Sequence, residues 1–524
     1  MFESAIFNRG ADLRGTYPRD INEEVAWFAG QTLVQFLRKR LGVESPRIIV
    51  GRDGRVSSPA IYRALIEGIA ARGGVAIPCG LASTDLVQWG VGEQVGGAVA
   101  GTMVTASHNP AEYNGIKSVV LNTERNVLDP IRPNTDLRPC LAEIAGLPSA
   151  STAGVAPFPE GTGNELRSQF VAAACTQAPR LSEATGKIVL DPGNGAAAIF
   201  LTPLKAELER LGANVEVEAI AAEIDGTFPT RPSNPGLPGA VKGLQAAVVK
   251  TGAAFGVAFD GDADRAFMVD EKGEFVPGSQ MLAALADAAI RQKKAAGIER
   301  CPVVIPAVCS WKVIETIRAA GGIPVMSRVG QDSLRTAAMQ TGAVFAGESS
   351  AHFNFPDTYM LDSGLFATMT FWNLLIESGK TASELLSDFA IWPASGETNL
   401  RIESDRWSEI SRIIIGTLVE TYGSAERNCF VLPLDGVGVY STGTSGSESD
   451  VFTEDGEFGS VYRVIADGYT PDWMFNVRAS NNEPLLRLNV ESQVADQVPT
   501  ILEELINTVE QICRKEGASV SRDD

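Results

Sequence analysis

The sequence predicts an α/β protein: three similarly built α/β domains with mixed, mainly parallel sheets, then a smaller C-terminal α+β domain. Two observations carry this expectation. Strand-like and helical patterns alternate in three successive blocks of roughly 100 residues each. From about Trp392 the pattern changes to one strong helix amid strand-like pieces, with a second helix near the end.

In the first block, apolar residues recur at helical spacing from Val25 to Arg40. Arg47 to Val50 is a short apolar run before the turn-rich Gly51-Arg52-Asp53-Gly54, and Pro59 to Ala71 is helical again before the strand-like Val75-Ala76-Ile77. In the second block, Lys187 to Leu190 enters the turn Asp191-Pro192-Gly193-Asn194-Gly195, with a helix expected over Ala196 to Leu211 and a strand over Val215 to Ala219. The third block runs through a helix from Ser279 to Lys294, a strand from Val303 to Ile305, a helix from Trp311 to Ala320 and a strand from Ile323 to Met326. Leu147 to Gly163, rich in Pro, Gly, Ser and Ala, reads as a linker. In the last section helices are expected over Ser408 to Tyr422 and Val498 to Cys513, an exposed hairpin tip or loop over Ser441 to Gly459, and a frayed tail over Arg514 to Asp524. The domains predicted are therefore 1–155, 164–275, 276–390 and 391–524.

A chain of 524 residues exceeds a single core and suggests roughly three or four domains, with a cleft between domains as the natural place for a site. Its 44% hydrophobic and 21% charged residues are those of a globular protein. A formal net charge of −20 argues against binding nucleic acid or an anionic membrane, so a phosphate ligand would need locally supplied positive charge. The start MFESAIFNRGADLRG has no basic segment followed by an apolar one, and no later run reaches the roughly 18 apolar residues of a spanning helix, so a cytoplasmic location is expected. The 7 cysteines include no CxxC pair and read as reduced, buried thiols.

Four polar, glycine-punctuated segments carry the chemistry. Thr105-Ala106-Ser107-His108-Asn109-Pro110 follows an apolar strand, which places a hydroxyl at a strand end where α/β sheets present ligands. A Ser/His hydrolase fits poorly, because Ser107 and His108 are neighbours and no GxSxG elbow surrounds the serine. Asp260-Gly261-Asp262-Ala263-Asp264-Arg265 sets carboxylates at alternate positions between apolar flanks, an arrangement most simply neutralised by a divalent cation. An EF-hand is set aside, since Arg265 falls where that loop requires glycine. Gly347-Glu348-Ser349-Ser350-Ala351-His352 offers donors and acceptors suited to sugar hydroxyls, and a histidine able to shuttle a proton. Arg478-Ala479-Ser480-Asn481-Asn482-Glu483-Pro484, with Arg487 beyond, clusters N–H and O–H donors fit for a phosphate dianion. Each segment alone also reads as an ordinary polar turn. Together they are harder to dismiss, because the chain's only 2 histidines, His108 and His352, both lie in them.

In this order the segments TASHNPAEYNGIK, DGDADR, GESSAH and RASNNEPLLRL, with NRGADLRG and GRDGRVSSP upstream, resemble the α-D-phosphohexomutase family, the phosphoglucomutases and phosphomannomutases. The resemblance spans nearly the whole chain. It implies four domains around a central cleft, a phosphorylated Ser107, and Mg²⁺ held by Asp260, Asp262, Asp264 and the phosphoserine. It implies that Arg14, Lys117, His108 and His352 serve charge stabilisation and proton transfer. Arg265, Glu348 and Ser350 would contact substrate, and Arg478, Ser480, Asn481 and Arg487 would hold the nonreacting phosphate. The implied reaction interconverts hexose 1- and 6-phosphates of mannose, glucose or both, with glucose or mannose 1,6-bisphosphate as intermediate and activator. A hexose-bisphosphate synthase, a phosphoglucosamine mutase and a noncatalytic sugar-phosphate sensor are the alternatives. The chain departs from the pattern at Ala351, where many members have glycine, at Asn482, where threonine is usual, and at Val308-Cys309-Ser310, where some carry a lysine.

Overall fold

The helices and strands expected in the first block form within a few residues of their expected bounds. Asn22 caps the first helix by accepting Val25 N–H at 3.0 Å, Glu23 and Glu24 sit in its first turn, and Gly42 ends it at φ 67°. The protein is described by a computed structural model over residues 4–144, 161–424, 427, 429–441, 452–455, 461–464, 470–480 and 483–523.

The first segment contains β1 (Leu13–Thr16), α1 (Glu23–Leu41), β2 (Arg47–Arg52), α2 (Ser58–Ala71), β3 (Val75–Leu81), α3 (Thr84–Gly92), β4 (Ala100–Val104), β5 (Tyr113–Asn122), β6 (Val127–Ile131) and α4 (Arg138–Ile144). Its 6-stranded sheet has the order β1-β5-β4-β2-β3, with β6 on β5. Because β2 is parallel to both β3 and β4, the turns after Arg52 and after Val104 leave the same end of the sheet. Helices α1 and α2 meet backbone to backbone: a Cβ at Gly68 would lie 2.1 Å from the Trp27 carbonyl oxygen. Leu33, Leu37, Leu65 and Ile69 close the core over Ile48 and Val50.

The second segment contains α5 (Gly161–Cys175), β7 (Thr185–Asp191), α6 (Leu201–Leu211), β8 (Asn214–Ala219), α7 (Lys242–Thr251), β9 (Phe255–Phe259) and β10 (Ala266–Asp270). In the order β10-β9-β7-β8, β7 runs parallel to β8 and β9 while β10 returns antiparallel. Every residue of β9 and β10 is buried, so their apolar runs fix the acidic turn between them.

The third segment contains α8 (Gly278–Ala295), β11 (Pro302–Pro306), α9 (Trp311–Ala319), β12 (Ile323–Ser327), α10 (Gln331–Thr341), β13 (Phe345–Gly347), β14 (Phe353–Phe355), β15 (Leu361–Asp362), α11 (Gly364–Ser378) and α12 (Ala382–Ser387). Strand β11 lies between β12 and β13, parallel to both. The C-terminal segment contains β16 (Thr398–Glu403), α13 (Trp407–Tyr422), β17 (Cys429–Leu432), β18 (Val437–Ser441), β19 (Phe452–Asp455), β20 (Val461–Val464), β21 (Trp473–Ala479), β22 (Leu485–Ser492), α14 (Gln497–Lys515) and β23 (Ser519–Asp523). Its 6-stranded sheet, β17-β18-β21-β22-β16-β23, is antiparallel throughout and packs Leu400, Phe475 and Leu488 against Ile414 and Val509 of the two helices.

Contacts divide the chain into two compact units, Met1–Met281 with Ser350–Ser387, and Leu282–Ser349 with Asp388–Asp524. In the first, Phe366 of α11 meets Phe170 at 5.6 Å, and Phe371 meets Phe255 at 5.5 Å. In the second, β20 pairs antiparallel with β12, and Glu491 of β22 accepts hydrogen bonds from Ser310 Oγ and, at 3.0 Å, from Trp311 N–H at the start of α9.

Three local expectations change. The helix α5 already begins at Gly161, inside the expected linker, whose residues 147–160 lie outside the described residues. The tail is not frayed: β23 pairs with the edge of β16 and sets Val520 opposite Ile402. Within the expected loop from Ser441 to Gly459, residues 452–455 form β19, paired with β20, and 442–451 and 456–459 lie outside the described residues. Among the described residues no helix is long and apolar enough to cross a membrane. All seven cysteines are free, and only Cys429 is not fully buried.

Burial pushes the acid of Glu491 up to about 7 against the opposing hydrogen bonds from Ser310 and Trp311. The folded protein therefore keeps a proton that the unfolded chain gives up near its ordinary value, and stability falls as pH rises between the two. Glu491→Gln removes this titration, so between pH 5 and pH 8 its stability relative to wild type should improve by about 1–3 kcal/mol. Chemical denaturation at the two pH values checks this, and an unchanged difference refutes it.

Candidate active site

Two turns from one sheet end and one from the second sheet build the site of the first unit. After β4, Thr105 N–H donates to the Gly115 carbonyl at 3.0 Å and Thr105 Oγ1 accepts Ser107 N–H at 2.9 Å. Ser107 is 1% exposed and left-handed, at φ 51°. A non-glycine residue there costs on the order of 1 kcal/mol or more, so its surroundings must hold it.

Arg55 does most of that holding. Its guanidinium is 0% exposed and donates to the carbonyl oxygens of Ser107 (2.7 Å), Asn109 (2.7 Å), Pro110 (2.5 Å) and Tyr113 (3.1 Å), while its Nε donates to Asp53 at 3.0 Å. Ser233 Oγ donates to the carbonyls of His108 (2.9 Å) and Asn109 (2.8 Å). The acidic turn then comes close enough that a Cβ on Gly261 would stand 2.5 Å from the Ser107 carbonyl oxygen, which only glycine permits.

This approach brings Ser107 Oγ to 2.9 Å from Asp260 Oδ2, and Arg265 Nη2 to 3.3 Å from Ser107 Oγ. Asp260, Asp262 and Asp264 are all buried, and each can offer an oxygen within 4.8 Å of the others. Burial, then the charges of Asp264 and Asp262, push the Asp260 acid well up. For Asp262 burial acts in the same sense, but the Lys117 ammonium outweighs it and holds that carboxyl below its ordinary range. Lys117 Nζ donates to Asp262 Oδ2 at 2.8 Å and to Asp264 Oδ2 at 3.1 Å. The other oxygens, Asp262 Oδ1 and Asp264 Oδ1, are buried without a hydrogen-bond partner. Buried, orphaned carboxylate oxygens that converge are the donor set a hard divalent cation requires, so these residues fit such an ion.

The two histidines are placed differently. His108 Nδ1 lies 3.4 Å from Ser107 Oγ and in a much closer contact with Arg265 Nη2. Burial, then the charges of Arg265 and Arg14, push its pKa down to about 2, so it is neutral. His352 is bound through Nδ1 to Asp362, and although burial opposes its charged form, the Asp362 carboxylate raises its pKa. His352 also meets Arg265 as an isolated backbone bridge. Arg14 donates to Asn109 Oδ1 at 2.8 Å and pairs with Asp12. Ala351 sits at φ 67°, the conformation that explains glycine's ease at this position. Ser350 is exposed.

In the second unit, Glu348 is buried and accepts from Gly330 N–H at 3.0 Å and Gln331 Nε2 at 3.2 Å. Arg478 and Arg487 stand directly opposite each other in the β21–β22 ladder, and Glu397 bridges them, at 3.3 Å from Arg478 Nη2 and 3.1 Å from Arg487 Nη1. Ser480 N–H donates to the Leu485 carbonyl at 2.8 Å. Asn481 lies outside the described residues.

Of the predicted residues, Ser107, His108, Lys117, Arg14, Arg265, His352 and the three aspartates therefore belong to one unit's hydrogen-bonded cluster. Sequence reasoning missed Arg55, Thr84, Asp362 and Glu397. Only Arg55 carried a signal, as part of GRDGRVSSP.

Sequence profiles described as phosphoglucomutase/phosphomannomutase alpha/beta/alpha domains I, II and III match residues 6–126, 168–273 and 277–391. The chain is 32% identical to a phosphomannomutase of Salmonella montevideo over 92% of its own length and 94% of the relative's. A phosphoglucomutase/phosphomannomutase family protein of Burkholderia thailandensis shares its fold with a TM-score of 0.76 at 23% identity, covering 99% of this chain and 100% of that one. An N-acetylphosphoglucosamine mutase of Aspergillus fumigatus, solved with GlcNAc-6P and magnesium, aligns with a TM-score of 0.56 at 15% identity, covering 91% and 85% of the two chains. The class is thus that of the intramolecular phosphotransferases, isomerases that relocate a phosphoryl group. The chain belongs to the phosphoglucomutase/phosphomannomutase family.

Replacing Arg55 by leucine removes one donor from each of four carbonyls, Asn109 keeping Ser233 and Pro110 keeping Tyr113 N–H, and leaves Asp53 buried without its cation. A loss of about 3–5 kcal/mol in urea unfolding is expected, partly recovered in the Asp53→Asn/Arg55→Leu double variant. A loss under about 1 kcal/mol, the size seen for exposed pairs, would contradict the role given to Arg55.

Proposed function

We propose that this protein interconverts hexose 1-phosphate and hexose 6-phosphate, with mannose, glucose or both as the sugar, through a phosphoryl group carried on Ser107. The observation that carries the reading is Ser107 Oγ seated 2.9 Å from Asp260 and 3.3 Å from Arg265, beside carboxylate oxygens left without partners. A nucleophile among buried acids and matching cations suits phosphoryl transfer, in which the protein chiefly positions an in-line attack and offsets charge.

In the proposed cycle the bond from phosphorus to Ser107 Oγ breaks as a bond to the free sugar hydroxyl forms, and the hydroxyl proton leaves to a base. The resulting 1,6-bisphosphate turns over and returns its other phosphoryl group to Ser107. Lys117, Arg14 and Arg265 supply positive charge. His352 with Asp362 is assigned proton transfer, and neutral His108 lies beside the serine. Glu348 and Ser350 are assigned to sugar hydroxyls, and Arg478, Ser480, Asn481 and Arg487 to the nonreacting phosphate. The three aspartates and the phosphoserine would hold Mg²⁺, which supplies charge neutralisation at the transferring group when bound. Glucose or mannose 1,6-bisphosphate is proposed as activator. Domain limits of 1–155, 164–275, 276–390 and 391–524 belong to the same reading, and the profile matches over 6–126, 168–273 and 277–391 support the first three. Seven free thiols support a cytoplasmic location.

The test is a coupled assay with Mg²⁺ and a trace of glucose 1,6-bisphosphate, comparing glucose 1-phosphate with mannose 1-phosphate and wild type with Ser107→Ala. Turnover to the 6-phosphate should fall at least a thousandfold in the serine variant, about 4 kcal/mol of barrier. Full activity of that variant overturns the mechanism, and accumulating bisphosphate points to a synthase.

A further inference from the structure

Outside the cluster, two polar features are already satisfied by their own partners. The cavity of about 180 Å³ lined by Arg9, Arg19 and Asp20 already has Arg19 paired with Asp20, leaving no built anion site. The Glu491 carboxyl is already occupied on both oxygens, by Ser310 Oγ and Trp311 N–H. A third feature leads further: how the start of α3 meets the acidic turn.

Thr84 is the first residue of α3 and is buried. Its N–H donates to the Asp262 carbonyl at 3.0 Å and its Oγ1 donates to Asp262 Oδ2 at 2.5 Å, so it grips that residue by backbone and side chain together. With Lys117 also on Oδ2, both donors lie on one carboxylate oxygen, and Oδ1 is the one left bare. The next residue, Ala263, is left-handed at φ 65°, a conformation the turn keeps only if its neighbours are fixed. Thr84 is itself anchored on both sides. Ser83 caps the helix by accepting Leu86 N–H at 3.3 Å, and the Asp85 carboxylate accepts Ser363 Oγ at 2.6 Å, Ser363 being the residue after Asp362, the partner of His352.

We propose that Thr84 is a positioning residue for the cation site: its hydroxyl fixes the rotation of the Asp262 carboxylate by holding Oδ2, which leaves Oδ1 without a protein partner and open to a cation. A hydroxyl donor makes one bond along one direction, whereas the Lys117 ammonium rotates and follows either oxygen. Threonine therefore supplies the direction and lysine the charge. The inference rests on reading the acidic turn as a divalent-cation site.

Titration of the purified protein with Mn²⁺, followed by the electron paramagnetic resonance of the free ion, tests it without turnover. Thr84→Val keeps the shape and removes the donor, and should weaken Mn²⁺ binding about 10- to 100-fold, the range for residues that orient metal ligands. Thr84→Ser should bind within threefold of wild type, and at saturating Mg²⁺ the valine variant should keep its KM for hexose phosphate. Wild-type Mn²⁺ affinity in the valine variant, or a serine variant as weak as valine, overturns the role of Thr84. If the valine variant does not fold, Thr84→Ala replaces it under the same criterion. Asp262→Asn separates the two readings: if it binds Mn²⁺ as wild type does, the acidic turn is not the cation site and both fail together.

Discussion

A buried guanidinium holds this active site in shape. Arg55 collects three carbonyl oxygens of the Ser107 turn and that of Tyr113, the first residue of β5, around one cation and is balanced by Asp53 on its own loop. Backbone carbonyls in a turn have no ladder to satisfy them, and burial without donors is costly. One planar fork answers several at once, as the shorter, more localised lysine cation cannot. The left-handed Ser107 and the close passage of Gly261 both depend on this arrangement.

Around that frame, charge is arranged in opposition to the molecule as a whole. The chain is strongly acidic, and its site begins with three more buried carboxylates. Lys117 reaches two of them and Arg265 reaches Asp260, so the local field is made by cations placed among the acids. One neighbour separates the histidines: burial and then the arginines keep His108 neutral, while for His352, where burial and Arg265 act in the same sense, Asp362 outweighs them and favours the charged form. Two imidazoles in one cluster thus differ through their nearest charges rather than their burial.

The sequence disclosed features written in contiguous residues. The helix read from the apolar spacing of Val25 to Arg40, the apolar strands flanking Asp260 to Arg265 and the serine turn after β4 each declare themselves within a short stretch of chain. Features assembled from distant residues stayed hidden. Thr84 and Asp262 are 178 positions apart, and Arg55 meets carbonyls 52 to 58 residues away. Nothing in Glu397 announces that it stands between two arginines. The tail was misread for a related reason: Ser519 to Asp523 contains a single apolar residue, Val520, and becomes a strand because the edge of β16 has backbone groups to satisfy.

Opposing arginines across a ladder repel, and Glu397 keeps Arg478 and Arg487 together. Its carboxylate occupies the two guanidiniums that the proposal assigns to a phosphate and resembles a phosphate in the sign of its charge and in its forked oxygens. Under the proposed assignment, arrival of a phosphate would be an exchange of one anion for another, and departure the same exchange reversed. Neither step exposes two bare guanidiniums to each other. Such a site would trade grip for turnover, as the proposed cycle asks of a ligand that lets go, presents its other end and is caught again.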